Sequence, residues 1–153
     1  MKRTKGIGLI CISLFVGWMF LVIPLPAAVS SARPLLILLI VLYWALYSPN
    51  QVGVGVAWVA GLLTDFLYGI MLGPYALGFA VSAYLMIRLN ARLNMFPVFQ
   101  QMLVMGMIVA GVQLSTAAIA MWVAQIDMPW AILSSIPTSM LCWPLVVKIL
   151  DAR

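Results

Sequence analysis

Residues Gly61 to Gly73 read GLLTDFLYGIMLG. Asp65 is the first carboxylate in the chain, and the next is Asp127. An acid in such apolar surroundings is either tolerated by the fold or required by it. The stretch also decides the architecture, because it ends at Gly73-Pro74. Proline suits the first turn of a helix, and the residue before it is pushed away from the helical region. Gln51 to Arg88 therefore reads as two short helices with a reversal between them, not as one very long helix.

The chain around this reversal has 153 residues, 66% of them hydrophobic and 7% charged. Soluble domains are typically about 45–50% apolar and about 25% charged. A small globule cannot hide that much apolar surface, so the composition predicts a single all-α domain embedded in a membrane. A span needs about 20 apolar residues. Six candidates follow in order, at about 6–23, 35–47, 51–70, 74–87, 96–124 and 129–147. The second is short unless Arg33 and Pro34 sit at the interface. The fifth is longer than needed, so it tilts or begins as an interfacial helix. The basic, then apolar start resembles a secretory signal, but its apolar run exceeds the usual length of about 7–15 residues. We read it as a retained span.

Charge placement gives a second argument for six. The net charge is +5, from eight basic and three acidic residues. With the N-terminus inside, Lys2, Arg3, Lys5, Arg88, Arg92, Lys148 and Arg153 all lie on the cytoplasmic side, and only Arg33 lies outside. That is the bias the positive-inside rule describes; five spans would destroy it. Both termini are thus expected in the cytoplasm, and Asp127 in an outer loop. The basic groups flank apolar runs, which argues for topology signalling and against a nucleic-acid surface.

Several chemistries lack their residues. There is no histidine, which removes the commonest general base and metal ligand. Cys11 and Cys142 are isolated thiols in apolar runs and read as small apolar fillers. Gly53 and Gly55 are followed by Trp58 where a nucleotide-binding loop needs a third glycine. No triad, metal cluster or cofactor site is expected.

The opening stretch belongs to a longer pattern. Gly53, Ala57, Gly61, Asp65, Gly69 and Gly73 fall every fourth residue, and positions four apart share a helix face. Small residues at that spacing let a neighbouring backbone approach closely. Ordinary helix packing accounts for the glycines; a surface for a partner protein is the sharper reading. Asp65 is different, since an aspartate at the centre of a membrane helix costs about 2.5–3.5 kcal/mol on insertion scales. Such residues face the interior of a bundle and pair with something. The free N–H groups at the start of the fourth span are the natural partner, because a helix N-terminus favours an anion. Thr64 and Tyr68 are nearby donors off that face. A structural or interaction role competes with binding of a cation, proton or solute, and the lack of a second buried acid, base or histidine favours the former. Arg88 and Arg92, four apart in the link NARLN, are cytoplasmic contacts for anionic lipid or for a protein. Gln100, Gln101 and Gln113 in the fifth span, and Ser134, Ser135, Thr138 and Ser139 in the sixth, are weaker polar features, and Trp130 and Trp143 read as interface or packing aromatics.

Ordered segments give the chain a likeness. Arg33-Pro34 precedes LLILLIVLYWALYSPNQVGVG; the stretch with Gly61, Asp65, Gly69 and Leu72-Gly73 follows; then come Ala83 to Leu85, FPVFQQ at Phe96 to Gln101 and LCWP at Leu141 to Pro144. Together they resemble the rod shape-determining protein MreD family of bacterial inner membranes, over nearly the whole chain. Relatives carry a His-Arg pair where this chain has Asn50-Gln51, so a role for a basic side chain there does not carry over. The resemblance implies a non-enzymatic scaffold of the cell-wall elongation complex. It would bind the bitopic protein MreC beside the actin-like MreB and the glycan polymerase RodA, and serve lateral peptidoglycan synthesis. That family is also similar to the six-helix substrate-binding components of energy-coupling vitamin importers, which keeps a solute-binding or transport subunit as the alternative.

Overall fold

The computed structural model describes residues 3–24, 35–69, 73–124 and 134–151. Among these residues there are six helices and no strand: α1 (Arg3–Val22), α2 (Leu36–Tyr47), α3 (Val54–Tyr68), α4 (Pro74–Leu93), α5 (Val98–Ala124) and α6 (Ser135–Asp151). Lys2, Arg33, Pro34, Asp127, Trp130 and Arg153 lie outside the described residues, as does the expected start of the sixth span.

The short second helix is the centre of the bundle. Its sequence LILLIVLYWALY has no polar face, and Ile37 through Leu46 are all buried. A helix that is apolar all round belongs inside. It packs against α1, α3, α4 and α6. From there α3 and α4 form a tight hairpin, α4 packs on α5, and α5 on α6. Trp143 is fully buried in this core, as a packing aromatic.

The outside of the bundle is apolar as well. Phe66 is 74% exposed, Met107 76% and Trp122 87%, side chains that water would disfavour. By length and composition α5 is long and apolar enough to cross a membrane between Val98 and Val123, while Ile7–Val22, Leu36–Tyr47, Val54–Tyr68 and Ser135–Leu150 are shorter apolar segments.

Two helices run further than their apolar composition suggests. The fourth does not stop at Ile87 but continues to Leu93, so Arg88 and Arg92 ride on a helix and not on a link. Alanine, leucine and arginine are good helix formers, and Leu93 is buried against the core, so charge alone does not end the helix. Pro97 opens the next one, its carbonyl accepting the N–H groups of Gln100 and Gln101 at 2.9 and 3.2 Å. The sixth helix likewise passes Val147 and carries Lys148 in its last turn.

Helix ends are tied to other helices. The Leu35 N–H, at the head of α2, donates to Ser139 Oγ of α6 at 3.1 Å. At the opposite end of α2, Asn90 Nδ2 of α4 donates to the Leu46 carbonyl. Gln101 Nε2 of α5 donates to the Leu93 and Phe96 carbonyls at 3.0 and 3.3 Å, closing the end of α4. Without water, each unsatisfied backbone group would cost several kcal/mol. These polar side chains sit where the backbone has bonds to make.

Candidate functional site

The site is the reversal between α3 and α4. The third helix ends at Gly69, which takes φ 64° and ψ 24°. Glycine occupies this left-handed region without the Cβ clash that penalises other residues. Its N–H donates to the Phe66 carbonyl at 3.2 Å. Gly73 then turns the chain at φ 134°, and Pro74 opens α4 in its first turn.

Asp65 sits one turn before that end, fully buried. Its Oδ2 accepts the Gly73 and Ala76 N–H groups at 3.0 and 3.1 Å, and its Oδ1 accepts the Tyr75 N–H at 3.1 Å. The carboxylate of one helix therefore caps the first turn of the next. The first four N–H groups of a helix have no partner within it, and a negative group there also meets the positive end of the helix dipole. This is the meeting of acid and free N–H groups that the spacing predicts. Thr64 is occupied elsewhere: its hydroxyl donates to the Ala60 carbonyl at 2.8 Å and accepts from Trp18 Nε1 at 3.5 Å.

Gly61, four residues before Asp65, makes the approach possible. A Cβ at Gly61 would lie 2.5 Å from the Ala76 Cα and 2.7 Å from the Tyr75 carbonyl oxygen. Two consecutive positions on one face thus do complementary work: Gly61 admits the backbone of α4, and Asp65 bonds to it. Tyr68 and Tyr75 stack across the reversal with centroids 5.3 Å apart, and Tyr75 meets Phe79 edge-on at 6.2 Å.

The six ladder positions are not equivalent. Ala57, Gly61 and Asp65 are buried on the α3 face. Gly53 is the residue before α3, with extended backbone and nothing within 4 Å of an added Cβ. Gly69 and Gly73 also have open space around them, and backbone conformation, not close packing, explains them. Arg88 and Arg92 lie near the far end of α4, about 18 and 24 Å along it from Ala76 at 1.5 Å per residue, so they belong to a separate surface. Sequence reading registers Gln101, Gln113 and Ser139 without giving them roles. Their signal was simply a polar group in an apolar run.

Chemically, the arrangement holds a turn. Among the described residues, the donors to Asp65 are backbone N–H groups, and no group of three or more histidine, cysteine, aspartate or glutamate side chains that could hold a metal occurs. A helical bundle with an apolar exterior, and with Asp65, Asn90, Gln101 and Ser139 committed to helix ends, defines a structural membrane protein. The chain belongs to the rod shape-determining protein MreD family, whose model matches residues 2–153. It is similar to the rod shape-determining protein MreD of Haemophilus influenzae (strain ATCC 51907 / DSM 11121 / KW20 / Rd), with 36% identity over 62 residues. That match covers 40% of this chain and 38% of the relative. No solved structure matches the chain. The family is described by its part in determining rod shape.

Proposed function

We propose that the chain is a six-span scaffold of the bacterial inner membrane, with both termini in the cytoplasm. It serves lateral wall synthesis by holding a bitopic MreC-like protein beside MreB-like and RodA-like proteins. The observation that carries this reading is the use made of Asp65. The one buried acid among the described residues binds backbone N–H groups, which is what a rigid support requires and a carrier does not. The family's role in rod shape and the apolar exterior point the same way.

A solute-binding reading needs polar groups that converge on a cavity. The buried oxygens without a partner on α5 are Gln101 Oε1 and Gln113 Oε1. They are twelve residues apart, about 18 Å along the helix, and do not converge. The grooves of the bundle are lined mainly by aliphatic side chains.

The test is purification of the tagged protein from its own membranes in mild detergent, with quantitative mass spectrometry of what remains bound. The scaffold reading expects the bitopic protein and wall-elongation proteins at near-equal amounts. Recovery of an ATPase and coupling subunit, or of a stoichiometric solute without wall proteins, would replace it with the transport reading.

A further inference from the structure

An open groove of about 690 Å³ runs between α4 and α5. On α4 its lining extends from Pro74 to Leu89, about 22 Å at 1.5 Å per residue. Val81 and Leu85 form its α4 wall; Val104, Ile108 and Gly111 form the facing wall on α5. The helices touch at its floor, where a Cβ at Gly78 would be 2.9 Å from Val112 Cγ1. A single hydrocarbon chain fits its shape. One leaflet of a bilayer core is about 15 Å deep, half of about 30 Å, so the groove is long enough for a whole acyl chain.

The same helix face carries the charge. Arg88 lies seven residues after Val81, and Arg92 seven after Leu85, which returns each to nearly the azimuth of a groove residue. Both arginines are exposed at the Leu89 end of the groove, Arg88 one residue before Leu89 and Arg92 three after it. Arg88 Nε donates to Tyr84 Oη at 3.0 Å, and its guanidinium lies 5.4 Å from the Tyr84 ring centroid. That contact holds the side chain in place while its terminal N–H groups stay open, and such a group binds phosphate bidentately. Neither arginine has a carboxylate partner among the described residues.

We propose that this groove holds one acyl chain of an anionic phospholipid, whose phosphate is bound by Arg88 and Arg92. The inference rests on the membrane placement proposed above, but not on the scaffold role. It is tested on the full chain in mild detergent by native mass spectrometry, with phosphatidylglycerol and phosphatidylcholine of identical acyl chains as probes. Phosphatidylglycerol should bind more tightly. Replacing both arginines (R88Q with R92Q) should reduce that preference about twenty- to thirtyfold, the equivalent of about 1 kcal/mol for each basic group. Lys148→Gln removes an exposed cation elsewhere and should leave the preference intact. Gly111→Phe, which fills the groove, should weaken both lipids. Equal binding of the two lipids overturns the proposal, and so does a preference that survives loss of both arginines or disappears equally with Lys148→Gln. A photo-crosslinker at Met107 that captures a protein in place of lipid in native membranes would also overturn it. Labelling of a single cysteine at position 92 from the cytoplasmic side reports the membrane placement separately, so its failure is distinguishable from failure of the lipid site.

Discussion

Asp65 and Gly61, four residues apart, together join α3 to α4. Asp65→Leu keeps the size of the side chain but abandons two buried N–H groups and the part-buried one of Gly73, a buried one costing about 1–3 kcal/mol when left without a partner. It should lower the unfolding midpoint in detergent steeply and abolish rod shape. Asp65→Asn retains one oxygen acceptor and remains a competent cap; it should keep shape, at a loss of about 1–2 kcal/mol. Normal rods from both variants would show that the cap is dispensable. The glycines should separate in the same assay. Gly61→Ala drives a methyl into the α4 backbone and should cost at least the 1–3 kcal/mol typical of overpacking. Gly69→Ala should cost about 1–2 kcal/mol for its left-handed conformation. Gly53→Ala should change little. Equal effects at all three would favour a continuous partner-binding stripe over this division. The regular spacing made Asp65 and Gly61 legible in the sequence, since both act through the helix face they share. It could not separate the other glycines, because a residue chosen for its φ angle and one chosen for its size are written with the same letter.

At the scale of the element, α2 and α4 are closed at both ends by side chains from other helices. Ser139→Ala leaves the buried Leu35 N–H without its acceptor, and should destabilise the bundle by about 1–3 kcal/mol. Gln113 Nε2 donates to Ser135 Oγ at 2.5 Å, joining two side chains instead of closing a helix. Interhelical bonds of that kind average about 0.6 kcal/mol in membranes, so Gln113→Leu should be nearly silent in the same thermal measurement. A larger effect for Gln113→Leu than for Ser139→Ala would contradict this ranking. The elements themselves were readable from apolar runs and from Pro74. The caps were not, because Ser139 lies 104 positions from its partner Leu35, and no local pattern announces which distant backbone group a serine will meet. The continuation of α4 through Arg88 and Arg92 was hidden for a related reason. An apolar run marks a membrane boundary, whereas a helix ends where its bonds and propensities end.

For the whole molecule, the charge bias and the proposed six spans imply an orientation that can be measured. Single cysteines at positions 88, 92 and 148, in a background lacking Cys11 and Cys142, should react with an impermeant thiol reagent from the cytoplasmic face only. Labelling of position 92 from the opposite face would refute the six-span arrangement. The helices on the rim of the bundle are also unequal. The third helix has 15 residues and the fifth has 27, about 22 and 40 Å at 1.5 Å per residue. Against a hydrocarbon core about 30 Å thick, the first is too short and the second too long. In the proposed placement, lipid beside α3 must thin while α5 leans to fit, at a fraction of a kcal/mol per ångström of mismatch. The protein would then impose a gradient of bilayer thickness across its own width. Neighbours that ease the compressed side would be drawn to α3 by the elasticity of the membrane, before any side chain touches them.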